Sequence, residues 1–413
     1  MEVLLLVHRI PFPPDKGDKI RSFHWLKALA TRHAVHLGCF IDDAEDSEYL
    51  PELRRYCASL HAASLSPCKK NLRAARAVLG GKAVTASVYR DRGLARWVAQ
   101  RLATNQIGCV VAYSSAMARY IGSHPNTEIG RILDFVDADA EKWRLLGERA
   151  HGVRGMLYRR EAVRLIEHDR KALRRFNLAT FVSAAEAERF QAFVLERSEQ
   201  LRVLRNGVDA RFFTPELESA NPYGSNGPVL VFTGIMNYWP NEEAVIWFAR
   251  SVLPRLRHDM PGLRFAIVGR SPSPRVQRLK SVAGVHVVGG VADIRPYLAH
   301  AAAVVVPLRN AIGVPNKILE AMAMARPVIA TPEAVRGIDV VPGRELMLAP
   351  SAEDFATAVW DALAAGPRIA VMARQARQRV VLDYDWETVE RQMQRIVAEI
   401  GGANPALRRG ALA

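Results

Sequence analysis

The stretch that decides the fold runs from Pro307 to Thr331, P-L-R-N-A-I-G-V-P-N-K-I-L-E-A-M-A-M-A-R-P-V-I-A-T. Just before it, Val304 to Val306 form a short apolar run of the kind buried on both faces of a parallel sheet. Gly313 and Pro315 mark a loop, and Asn316 has a side chain suited to cap a helix. Ile318, Leu319, Ala321, Met322 and Ala323 leave that helix apolar on most faces, so burial is expected. Pro327 stops it before a second strand, Val328 to Thr331. Strand, loop, buried helix and strand are the repeating unit of a wound α/β sheet. The first turn carries Lys317, where the helix dipole disfavours a cation, and that placement points to an anion nearby.

Working outward, the same unit recurs. Val229 to Thr233 reads as a strand, Gly234 as a tight turn that lets a ligand approach the backbone, and Asn241 to Arg250 as a helix. Arg264 to Gly269 is a further strand with Arg270 just beyond it, a guanidinium whose fork fits a phosphate. Val285 to Val288 and Glu345 to Leu348 supply two more strands.

The upstream half follows suit. Val3 to Val7 is an apolar run, followed by the loop I-P-F-P-P-D-K-G-D-K-I-R-S and a helix over Lys19 to Thr31. Such a loop builds a ligand crevice at strand carboxyl ends, which singles out Gly17, with Lys16, Lys19 and Arg21 as anion contacts or plain solvated charge. Strands are expected at Ala34 to Phe40, Val110 to Tyr113 and Leu178 to Ser183. Between the last two, R-I-L-D-F-V-D-A-D-A-E-K-W runs a strand into Asp134, Asp137 and Asp139, acids that line a crevice or cap the next helix. Three acids at odd spacing also suggest a metal site, but Mg²⁺ sites commonly rely on substrate phosphates too, and none is expected.

The 413 residues suffice for two domains, and 49% hydrophobic with 24% charged residues describes a globular chain. No apolar run reaches membrane-spanning length. The four cysteines lack metal-binding spacing and fit a reducing cytoplasm. The net charge of +15 calls for an anionic partner, and from Arg54 to Arg101 eleven basic residues face one acid, Asp91. Within that region Leu94, Trp97, Val98 and Leu102 share a helical face, which either meets a bilayer interface or packs on its own sheet. Gly155 to Phe176 reads as an amphipathic helix with a basic face, its apolar side interrupted by Asp169. No nucleic-acid motif accompanies the charge.

The run N-K-I-L-E-A-M-A-x-x-R-P-V-I resembles the donor-binding segment of the retaining glycosyltransferases of family 4. V-L-R-N-G-V-D-A-R-F-F resembles the family's hinge, with Arg205 for the usual proline, and Y-D-W-E-T-V-E-R-Q-M-Q-R-I-V resembles its closing helix. The loop P-F-P-P-D-K-G-D-K-I-R is similar to that of sugar transferases associated with exosortase and exopolysaccharide gene clusters. The resemblance implies an α/β chain of the GT-B fold, two facing Rossmann-like domains with a C-terminal helix crossing back. The expected domains are 1–204, completed by 385–413, and a nucleotide-sugar-binding domain over 205–384. It further implies that Glu320 binds ribose hydroxyls, that Asn316 and Lys317 face the donor diphosphate, and that Gly234, Asn237, Arg270 and Gly17 contribute to the donor site. Asp137 is the first choice and Asp134 the second for the reacting centre. The glutamate usual eight positions before Glu320 is replaced by Ile312.

The expected activity is transfer of a sugar from a nucleoside diphosphate sugar to a hydroxyl, with retention, in exopolysaccharide or other cell-surface glycan synthesis. The expected partners are the nucleotide sugar, a glycan or lipid-linked acceptor and an anionic membrane surface, with no nucleic acid and no cofactor. The expected location is cytoplasmic and peripheral at the inner face of the plasma membrane. Two alternatives stand beside it: a GT-B epimerase, and a non-catalytic basic protein that binds lipid or a partner.

Overall fold

A computed structural model describes residues 1–104, 106–122, 128–194, 198–224, 227–311, 313–364 and 366–402. Ile312 and the tail Asn404–Ala413, expected to fray, lie outside the described residues. The chain divides into two compact units, one formed by Met1–Arg205 with Val389–Ala413 and the other by Asn206–Thr388.

The first unit holds seven strands: β1 (Glu2–Val7), β2 (Ala34–Ile41), β3 (Ser59–Ser64), β4 (Ile107–Tyr113), β5 (Gly130–Val136), β6 (Leu178–Phe181) and β7 (Leu201–Val203). They form one parallel sheet in the order β3-β2-β1-β4-β5-β6-β7. The apolar runs dictate this arrangement: every residue of β4 is buried and so are Val3 to Val7 of β1, as strands covered on both faces must be. β1 separates β2 from β4, so the winding direction reverses between β1 and β4. Ligands bind such sheets at that reversal, beyond the carboxyl ends of the strands.

The second unit repeats the plan with β8 (Val229–Thr233), β9 (Arg264–Val268), β10 (Val285–Gly289), β11 (Ala303–Val306), β12 (Val328–Ala330) and β13 (Met347–Leu348). Its parallel order is β10-β9-β8-β11-β12-β13, with the reversal between β8 and β11. The helix Asn316–Ala323 follows β11 and buries Ile318, Leu319, Ala321, Met322 and Ala323 completely, as its composition required. This core is continuous, from Phe232 and Phe265 on the strands to Phe248, Phe355 and Val380 on the helices.

Several expectations change. The strand β3 lies inside the basic region read as helical; S-L-H-A-A-S lacks β-branched residues and takes its conformation from pairing with β2. In the helix Arg92–Ala103, Leu94, Val98 and Leu102 are buried and Trp97 stacks on His61, so the stripe packs on its own sheet instead of presenting a bilayer face. The long helix spans Gly152–Leu173, and burial holds the Asp169 carboxyl on its inner side well above the usual range. Gly207 of the Asn-Gly pair is not in the left-handed region; a Cβ there would lie 2.5 Å from the Trp386 indole, so packing requires the glycine. Asn316 is the first helical residue and Pro315, with φ −71° and ψ 100°, occupies the cap without a side-chain bond, because proline already fixes the entry geometry.

Candidate active site

Beside the reversal point of the second sheet, the ends of β8 and β9 press together. Gly234 after β8 has φ 150° and Gly269 after β9 has φ 154°, and the Gly234 amide donates to the Val268 carbonyl at 3.0 Å. A Cβ on Gly269 would lie 1.6 Å from the Gly234 carbonyl oxygen, and one on Gly234 would lie 2.8 Å from the Asn241 amide nitrogen and 2.9 Å from Lys317 Nζ. Only glycine fits either position, and the space left open is a backbone-lined edge.

Into that edge points Lys317 from the first turn of the helix Asn316–Ala323. It is 9% exposed; its Nζ donates to Asn241 Oδ1 at 2.8 Å and stands 3.8 Å from the Phe232 ring centroid. Both partners are neutral, and no carboxylate of the described residues lies within ion-pair distance. Burial pushes the Lys317 ammonium down to about 7, with Glu320 pulling the other way. The Glu320 carboxyl is pushed up to about 7 by burial, against the pull of Lys317. Two buried oxygens, Thr233 Oγ1 at the end of β8 and Asn316 Oδ1 at the helix start, have no hydrogen-bond partner among the described residues. A cation, a hydroxyl, helix-terminal amides and two glycine edges gather here, groups that can hydrogen-bond a phosphate.

The remaining expected residues of this unit sit around that edge. The Met236 amide donates to the Arg270 carbonyl at 2.9 Å, which ties the loop after β8 to the loop after β9, and the Arg270 side chain is exposed. Asn237 is exposed in the turn between Ile235 and Tyr238. Asn241, read from sequence only as helix, is the residue that holds Lys317 and also donates to the Ile235 carbonyl at 3.0 Å. Its one sequence signal is an amide in the first turn of the helix after a Gly-containing strand end, which is common; only packing reveals the contact.

The first unit places its candidates differently. Asp134 is completely buried and accepts from Arg21 Nε and Nη2 at 2.8 and 3.1 Å, Trp25 Nε1 at 2.6 Å, Thr180 Oγ1 at 2.9 Å and the Val136 amide at 3.2 Å. A carboxylate with that many donors is an internal anchor, which removes it from the reacting centre. Arg21 and Lys19 are equally committed: Lys19 Nζ meets both Asp46 oxygens at 2.8 Å, so neither is available for a ligand anion. Gly17 is the first residue of the helix Gly17–Ala30 and is exposed; a Cβ there would meet nothing within 4 Å, so no close approach requires it to be glycine.

Asp137 is half-buried beyond β5, and its Oδ1 has no partner among the described residues. Burial pushes its carboxyl up to about 8, with Glu186 and Asp139 adding to the effect and Arg21 and Lys142 opposing it. A carboxyl raised in this way favours its neutral form, which can donate a hydrogen bond or a proton. Just before it Val136 has φ 72°, and at the end of β4 Ser114 has φ 73°. Positive φ in a β-branched residue is strained backbone, which gathers at functional edges. His8, at the end of β1, is a residue that sequence reasoning passes over; its ring stacks on Tyr113 with centroids 5.6 Å apart and its Nε2 lies 3.7 Å from Asp18. A histidine directly after a buried strand at the reversal point is the signal available for it.

Among the described residues no group of three or more histidine, cysteine or acidic side chains could hold a metal ion, and no helix is long and apolar enough to cross a membrane.

With this geometry in place, comparison defines the class of fold. The chain matches the crystal structure of HepE from Anabaena in complex with UDP over 97% of its length and 100% of the other, with TM-score 0.68 and 16% identity. It matches sucrose-phosphate synthase from Thermosynechococcus elongatus over 98% and 100%, with TM-score 0.68 and 18% identity. A glycosyltransferase from Rickettsia africae matches over 97% and 98%, with TM-score 0.64 and 14% identity. The fold is GT-B: two Rossmann-like, parallel-sheet α/β domains. Residues 227–365, which carry β8 to β13 and the Lys317 edge, match the family model described as Glycosyl transferases group 1. No curated protein matches the chain by sequence.

Proposed function

We propose that the chain is a retaining glycosyltransferase that moves a sugar from a nucleoside diphosphate sugar to a hydroxyl acceptor. The observation that carries this reading is the buried Lys317 ammonium, with no carboxylate of the described residues within ion-pair distance, at the β8/β11 reversal inside the segment that matches the glycosyl transferase model. Its Nζ and the amides of the helix start stabilise the leaving diphosphate as charge builds on it. Glu320, one turn on, accepts hydrogen bonds from the ribose hydroxyls, and Arg270 and the glycine edges take the remaining phosphate contacts.

Asp137 serves the acceptor side, in the first unit. As a neutral acid next to strained backbone it positions the attacking hydroxyl by hydrogen bonding. Solved structures of the same fold in complex with UDP, and with UDP-glucose, support a uridine nucleotide as the first donor to try. The basic surface suits an anionic or lipid-linked acceptor in cell-surface glycan or exopolysaccharide synthesis, with the protein cytoplasmic and peripheral at the inner membrane face. The donor is a substrate, and the proposed reaction needs no further cofactor or metal.

Isothermal titration with UDP, GDP and ADP, repeated on Glu320→Ala, tests the reading. Binding of one nucleotide, weakened about tenfold or more in the variant, is the expected result, since a charged hydrogen-bond acceptor is worth about 1.5–3 kcal/mol. Absence of binding to all three would overturn it. With donor in hand, the anomeric configuration of the product, read by NMR, tests retention.

A further inference from the structure

The first unit contains a cavity of about 560 Å³ between the helix Pro67–Leu79, the start of the helix Arg92–Ala103 and the segment after β4. Seven of its eleven lining residues are lysine or arginine, and the one acid is Asp91. That acid is already engaged: Asp91 Oδ1 accepts from the Leu94 amide at 3.0 Å as the cap of its helix, and its other oxygen lies 3.8 Å from Arg73. Arg73 and Arg119 are held in place by main-chain carbonyls, Val88 and Ala86, each at 2.9 Å. Lys69, Arg76, Arg90 and Arg92 have side chains with no hydrogen bond or ion pair to a described residue.

Carbonyls orient these guanidinium groups, and the single acid, Asp91, offsets only part of the positive charge. Burial lowers the Arg119 guanidinium from its ordinary value, and Arg90 and Arg73 push it further down while Tyr120 opposes. Like charges gathered around one concavity repel unless an anion enters. A second cavity of about 310 Å³ shares Lys82 and Arg119 and adds Lys171 and Arg175, with Arg164 there paired to Glu167 at 3.0 Å. Planar forks converging from several directions match a phosphate group better than a carboxylate, and the volume exceeds one phosphate.

We infer that this cavity binds a diphosphate or a pair of neighbouring phosphate esters, with Arg73 and Arg119 as the fixed wall and Arg76 and Arg90 closing on the anion. The inference deepens the acceptor side of the proposed function and does not require the donor assignment, because the cavity lies wholly in the first unit. The phosphates come from a soluble ester or from a lipid headgroup. Leu72 and Leu79, 53% and 89% exposed on the helix that lines the cavity, are apolar side chains an acyl interface would cover.

The test uses the full chain and the double variant Arg76→Gln/Arg90→Gln, whose side chains hold no other element in place. A second double variant, Arg278→Gln/Lys280→Gln, removes the same charge from the exposed surface of the other unit. Each is titrated at low salt with inorganic pyrophosphate, and separately sedimented with phosphatidylcholine vesicles containing about one-third phosphatidic acid or none. The expected result is binding of pyrophosphate, of the phosphatidic acid vesicles or of both, weakened about tenfold or more in the first variant and unchanged in the second. Pyrophosphate binding alone identifies a soluble ester, and vesicle binding alone identifies a headgroup. No binding to either probe, or equal loss in both variants, overturns the site. Nucleotide titration of the first variant separates this outcome from failure of the donor reading.

Discussion

At the carboxyl edge of the first sheet, Arg9 meets Asp18 and Asp42, Lys19 meets Asp46, and Arg21 meets Asp134. At the carboxyl edge of the second, Lys317 meets an amide and a ring. The two sheets share a topology, but one uses its charges to hold its own loops and the other keeps a buried charge free of carboxylate contact among the described residues. A buried ion pair with good geometry is an internal fastening. A buried amine whose partners are an amide and a ring keeps its capacity to bind an anion, and the proposed donor site on the helix after β11 rests on that difference.

The contrast is broken most directly at Asp134. Asp134→Ala leaves Arg21 buried and uncompensated, so urea unfolding should show a loss of about 3–5 kcal/mol. If the loss is near zero, the fastening role is wrong. Next comes Gly269→Ala, whose Cβ would meet the Gly234 carbonyl at 1.6 Å in a left-handed backbone. Strain and overpacking together predict a loss of about 2–4 kcal/mol, seen as a lower unfolding midpoint and weakened nucleotide binding.

A smaller effect is expected at Asp137. Its carboxyl is raised in the folded chain, so the stability it contributes is present at acid pH and lost as pH rises from about 4 through about 8. Asp137→Asn should therefore match the parent in Tm at pH 4.5 and exceed it by a few degrees at pH 8.5, while transfer to acceptor falls. A Tm difference independent of pH would show that this carboxyl does not titrate as its burial requires. Smallest of all is Gly17→Ala, expected to change stability by no more than about 0.5 kcal/mol and to leave nucleotide affinity unchanged. That result, set beside Gly269→Ala, would separate a glycine required by close approach from one that merely opens a helix.

Much of this was legible in residues alone. Val3 to Val7, Val229 to Thr233 and Val304 to Val306 have the unbroken apolar character that a doubly covered parallel strand needs, and each is a strand. The helix after β11 announces its burial through Ile318, Leu319 and Met322. By contrast S-L-H-A-A-S, an edge strand, carries no such signature, since its conformation comes from its neighbour β2. Asp134 and Asp137 look alike in sequence, three residues apart, and have opposite fates.

The sequence by itself determined the α/β class and the segment where the Lys317 edge forms, because burial on both faces and helix boundaries depend on local composition. Tertiary structure alone decided which charges are available. Arg21 and Asp134 are 113 residues apart, and Lys317 and Asn241 are 76 apart. Whether a cation finds a carboxylate or an amide depends on which distant strand end the topology places beside it, and no local pattern carries that information.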